Sequence, residues 1–139
     1  KKDKIERVED MPVYRIFYEL ALDVVKATRN CPPDFRWLRG QLLRSSESVC
    51  ANMTEGFYSQ YSTEYLQSLY RSRREGRETV THLNYAKDVN LLSMQTADEL
   101  AIRYDAALQS LNKLIKSIHA KIERHGKSRP NGESSTINH

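Results

Sequence analysis

The sequence predicts an all-α protein, an antiparallel up-down-up-down four-helix bundle. Three observations carry this. Apolar residues recur at three- and four-residue spacing in four separate stretches, at about 12–31, 34–58, 63–92 and 97–125. The connections between them are short, which makes successive helices antiparallel neighbours. No strand-like alternation and no internal repeat appears. At 139 residues the chain is one domain with room for a real core.

Residues 1–10, KKDKIERVED, form a charged lead that is expected to fray. Asp10 suits a helix cap and Pro12 a first turn. Val13, Phe17, Leu20, Val24, Ala27 and Cys31 then define the seam of the first helix. Pro32 and Pro33 end it, because proline lacks a donor and disfavours helix in the residue before it.

The second helix carries two rows. Leu38, Leu42, Ser45, Val49, Met53 and Gly56 give an apolar or small face. Arg44, Ser48, Asn52 and Glu55 give a polar row roughly 110° further round. Such a row suits an architectural task, hydrogen-bonding to a neighbouring helix or subunit and fixing register. Gly40 costs helix stability, so close packing is expected there. Trp37 falls near the polar row and is expected to anchor the edge of the core, with a subunit contact as the alternative.

Ser62 or Thr63 is expected to cap the third helix. Its inner face, Tyr65, Leu69, Ser72, Gly76, Val80 and Leu83, is thin in the middle, and its outer side carries Arg71, Arg74, Glu75 and Glu78, with Arg73 and Arg77 nearer the edges. Thr96-Ala-Asp-Glu99 reads as a capping box for the fourth helix, whose seam is Leu100, Tyr104, Leu108, Leu111, Ile115, Ile118 and Ile122. Lys113, Lys116, Lys121 and Arg124 make its far end basic, and Gly126 ends it. The polar tail 126–139 has no apolar run and is expected to be disordered.

Charged residues at 29% and hydrophobic residues at 39% fit a soluble, helix-rich domain. No stretch approaches the ~20 apolar residues of a membrane span, and no signal peptide is visible, so a cytoplasmic location is expected. Cys31 and Cys50 have no second ligand at metal spacing and read as two buried thiols. The net charge of +4 is compatible with an acidic partner without demanding one.

The stretch Gln41–Phe57, QLLRSSESVCANMTEGF, resembles the central motif of the bacterial four-helix bundle proteins encoded by intervening sequences of large-subunit ribosomal RNA genes. Asp10-Met-Pro-Val-Tyr14, Glu19-Leu-Ala21, Glu64-Tyr-Leu66 and Glu78 continue the resemblance. A related branch is the accessory variability determinant (Avd) proteins of diversity-generating retroelements. The resemblance implies a ring- or barrel-shaped homo-oligomer, a pentamer, and in the Avd branch a reverse transcriptase and its RNA as partners. Arg71-Ser-Arg-Arg-Glu-Gly-Arg77 departs from the family, which has apolar and small residues there.

Catalysis finds little support in the residues. Glu75 with Glu78, and Glu78 with His82, have metal-ligand spacing, but no second acidic motif completes a di-metal site. No phosphate loop, nucleophile elbow or zinc motif is present. No enzyme activity, cofactor or metal is therefore expected. Binding has more support. Arg36 and Arg39, the four arginines at 71–77, and Lys113, Lys116, Lys121 and Arg124 form three basic sets near Tyr58, Tyr61 and Tyr70. Arginine forks suit phosphates, so the expected role is a nucleic-acid-binding accessory protein that contacts RNA or DNA backbone. The alternatives are a structural or protein-recruiting scaffold and, less favoured, a metal-dependent hydrolase.

Overall fold

The computed structural model describes residues 4–125, and the expected tail 126–139 and residues 1–3 lie outside them. The described residues form four α-helices and two short 3₁₀ turns, with no strand among them. The helices are α1 (Pro12–Ala27), α2 (Arg36–Phe57), α3 (Ser62–Asp88) and α4 (Met94–His125). Each packs on its chain neighbours, and α1 closes the bundle against α4. Phe17, Leu20, Val24, Leu38, Leu42, Val49, Met53, Leu69, Leu83, Tyr104, Leu108 and Leu111 fill the interior. Every helix contributes to it, as the apolar spacing requires.

The helix ends differ from the sequence reading, each for a local reason. α1 stops at Ala27 instead of about 31. A helix running into Pro32 would drive the proline ring against the Thr28 carbonyl. Thr28 closes α1 instead, its hydroxyl donating to the Val24 carbonyl at 2.8 Å and accepting from Arg39 Nε at 3.2 Å. Cys31 thus lies in the connection and is half-buried, not buried. A 3₁₀ turn, Pro33–Phe35, leads into α2.

α3 starts at Ser62 with Tyr61 as its N-cap, so neither Ser62 nor Thr63 caps it. It ends at Asp88, not 92, because Asn90 adopts a left-handed φ of 65°. The Asn90 N–H then donates to the Lys87 carbonyl and the Leu91 N–H to the Ala86 carbonyl, the Schellman closure. α4 begins at Met94, three residues before the expected start. Its cap is Ser93, whose hydroxyl accepts from the Thr96 N–H at 3.1 Å, in place of the capping box at Thr96.

The lead also differs from expectation. Residues Val8–Asp10 form a 3₁₀ turn, with Asp10 accepting from the Glu6 and Arg7 N–H groups. Asp10 therefore caps this turn, and Met11 is the N-cap of α1. Val8 and Met11 are buried. The Val8 N–H donates to the Tyr58 hydroxyl (3.2 Å), and the Tyr65 hydroxyl lies 3.4 Å from Met11 Sδ.

Candidate functional site

The seam between α2 and α3 is built from small residues and hydroxyls. The Ser72 hydroxyl donates to the Val49 carbonyl across it at 2.8 Å, and the Thr79 and Ser45 hydroxyls bond at 2.7 Å. Gly56 lies against Ser68, with no room for a Cβ between the helices. The thin middle expected of α3 is thus a close approach, closed by polar contacts instead of large apolar side chains.

Of the polar row on α2, Arg44 reaches α3. Its guanidinium pairs with Glu75 at 3.3 Å and with Glu78, and His82 Nε2 lies 3.2 Å from the same Glu78 carboxylate. Burial alone would raise the Glu78 carboxyl; His82 and Arg44 outweigh it and hold it below its ordinary value. The Asn52 amide turns back to the Ser48 carbonyl within its own helix. Glu55 is exposed beside Glu64, Gln67, Ser68 and Arg71, at the loop end of the α2–α3 hairpin. Among the described residues no group of three or more His, Cys, Asp or Glu side chains is arranged to hold a metal ion.

The seam between α3 and α4 is a ladder of polar rungs. Lys87 pairs with Asp98 at 2.8 Å and Arg77 with Asp105 at 3.7 Å. At the next rung Arg73 donates to Asn112 Oδ1 at 3.0 Å, and its guanidinium lies 5.1 Å over the Tyr70 ring. The other basic residues singled out in the sequence are scattered. Arg36, Arg71, Arg74, Lys113, Lys116 and Arg124 are exposed, with no carboxylate within ion-pair distance among the described residues. Arg71 lies 3.5 Å from the Ser68 hydroxyl, and Arg39 is spent on Thr28. Lys121 is half-buried, and burial lowers its ammonium. Arg36 and Arg39 stand on α2, the arginines at 71–77 on α3, and Lys113, Lys116, Lys121 and Arg124 on α4. The contacts to Asn112 and Asp105 place Arg73 and Arg77 on the α4 side of α3, with Arg74 next to Arg73 in sequence and Lys113 next to Asn112.

Three features escape a reading of the sequence. Asp23 of α1 pairs with Arg103 of α4 at 2.8 Å. Trp37 is 53% exposed and stands edge-on to Tyr85 of α3. An open groove of about 670 Å³ runs between α1 and α2, lined chiefly by Tyr14, Tyr18, Leu22, Val25, Leu43 and Cys50. Burial and the nearby Glu47 push the Cys50 thiol up to about 12, so it stays a protonated wall of that groove. Only the excess of apolar positions at Tyr18 and Leu22, outside the α1 seam, could have signalled it. No helix among the described residues is long and apolar enough to cross a membrane.

Comparison with known proteins agrees with this architecture. A crystal structure of a protein of unknown function from the S23 ribosomal protein family of Bacteroides thetaiotaomicron superposes with a TM-score of 0.70. It is 20% identical and covers 75% of this chain and 98% of its own, a likeness of fold. No curated protein matches the chain. Residues 9–113, which span all of α1 to α3 and the first two-thirds of α4, match the model of one protein family. The chain belongs to the 23S rRNA-intervening sequence protein family.

Proposed function

We propose that this protein is a non-enzymatic, oligomeric accessory factor that binds RNA or DNA through its basic surface. The observation that carries the reading is the state of its cations. Arg71, Arg74, Lys113, Lys116 and Arg124 are exposed without a carboxylate partner among the described residues, while Arg44, Lys87 and Arg103 are neutralised in seams. Phosphates would supply the missing counter-charge and release condensed cations. Self-association into a ring, a pentamer by the family resemblance, would repeat this surface and add avidity. By resemblance to the retroelement branch, the enzyme it serves is a reverse transcriptase.

Fluorescence anisotropy with a labelled oligonucleotide tests the reading. Affinity should fall steeply with salt, and replacing Arg71, Arg73, Arg74 and Arg77 by Gln should weaken it and flatten the slope. Affinity indifferent to both would sink it. Native mass spectrometry reads the assembly directly.

A second reading, a protein-recruiting scaffold, draws on the apolar groove between α1 and α2, where Tyr18 and Leu22 remain about half exposed. Protein partners recovered equally well after nuclease treatment would favour it.

A further inference from the structure

The α3–α4 ladder changes character at one rung. Two rungs set a base against an acid, Lys87 with Asp98 and Arg77 with Asp105. At the third, Asn112 occupies the place of the acid. Arg73 is held there by two neutral partners, the amide oxygen and the Tyr70 ring, so its charge is fixed in position and left uncompensated. A guanidinium already ordered loses little freedom when it takes up a ligand.

The donors are also oriented. Because Arg73 can only donate, the Asn112 oxygen must face it, and the amide NH₂ must point away. The rung therefore offers chiefly donors: the remaining guanidinium N–H groups and the Asn112 NH₂. Arg74, next to Arg73 on α3, and Lys113 and Lys116, next to Asn112 and one turn beyond it on α4, are exposed. Such a place suits phosphodiester oxygens and the carbonyl edges of bases. A guanidinium seated on a tyrosine ring also offers its outer face as a stacking plane. Base faces are free in a single strand and buried in a duplex.

We propose that Tyr70, Arg73 and Asn112 form a base-stacking and phosphate-anchoring site for single-stranded nucleic acid on the α3–α4 seam. The site rests on the nucleic-acid-binding reading above and names the form of ligand that reading leaves open. Its logic places one decisive atom: the Asn112 NH₂, where an oxygen would complete a third ion pair. Asn112→Asp would do so, and by repeating the Lys87–Asp98 rung it should leave the fold at least as stable.

The test compares a 20-nucleotide oligo(dT) or oligo(U), a 20-base-pair duplex and an oligoglutamate peptide, each labelled and titrated with the intact protein at low salt. The single strands should bind best. Asn112→Asp should weaken them roughly tenfold and reduce the salt slope by about one charge, with an unchanged or higher melting temperature. Arg73→Lys keeps the charge but loses the planar fork, and should weaken single strands more than duplex. Equal binding of single strand and duplex, with equal losses in both variants, would overturn the site and leave backbone binding intact. Oligoglutamate bound as tightly as oligo(dT), with the same sensitivity to Asn112→Asp, would make the rung an anchor for acidic protein and overturn it too. No binding of either nucleic acid would overturn the wider reading as well.

Discussion

At the scale of single residues, similar chemistry has opposite consequences in different places. Gly40 and Gly56 both lie within α2. A Cβ at Gly40 would meet no atom within 4 Å, so the packing expected from the sequence is not its reason. Gly40→Ala should therefore stabilise the protein by about 0.5–1 kcal/mol, through the lost freedom of glycine in the unfolded chain. Urea unfolding with an unchanged slope checks it, and a lowered midpoint would show a contact at Gly40 that monomer packing lacks. Glu78 tells a similar story about charge. Its folded pKa lies below the ordinary 4.5, so it adds stability above that pH. This stability is lost as pH falls through the folded value. Glu78→Gln should thus be less stable than the parent near neutral pH, and the two should converge once the pH has fallen below the folded value. A deficit that is the same at both ends would show that the carboxylate charge contributes nothing and only shape was lost.

At the scale of elements, seams explain more than faces. α2 and α3 touch through Gly56 and Ser68, Val49 and Ser72, and Ser45 and Thr79. Gly56→Ala would set a methyl group against the Ser68 Cβ, which is fixed to the backbone of α3 and cannot swing away. The helices must part, and the cost should be about 2–3 kcal/mol. Gly76→Ala meets only the Leu108 side chain, most closely its movable Cδ2 at 2.9 Å, and should cost less. Adding Ser68→Gly to Gly56→Ala should recover part of the loss; strict additivity of the two would show that the seam is not where the strain lies. The existence and faces of the helices are legible in the sequence because burial imposes a period on fifteen or more residues at once. Their ends are not, since each depends on a single residue: Pro32 against the Thr28 carbonyl, Asn90 in a left-handed turn, Ser93 as a cap. Partners across a seam are equally hidden. Arg44 and Glu78 stand 34 positions apart, and only the register of α2 on α3 brings them together. The run of arginines at 71–77 was visible at once, but which of them stays unneutralised depends on what α4 sets opposite.

At the scale of the whole molecule, the chain's start returns to its middle. The charged lead reads as a frayed terminus because its composition is polar, yet among its described residues Val8 is buried, with the loop end of α2 and α3 beside it. Its N–H finds the Tyr58 hydroxyl 50 residues away, which lets that backbone group be satisfied while the side chain is buried. Met11 extends the same contact to Tyr65. The segment Val8–Met11 therefore belongs to the cooperative unit and closes one end of the bundle. Val8→Ala should cost about 1–2 kcal/mol, a fall of roughly 3–8 °C in melting temperature for a domain of this size. Tyr58→Phe should cost about 1 kcal/mol by leaving the Val8 N–H without its partner. The two changes act on one docked segment, so the double variant should lose less than the sum of the single ones. Removing residues 1–8 should lower the melting temperature at least as far as Val8→Ala does. A truncated chain that melts with the parent would mean the lead merely rests on the bundle.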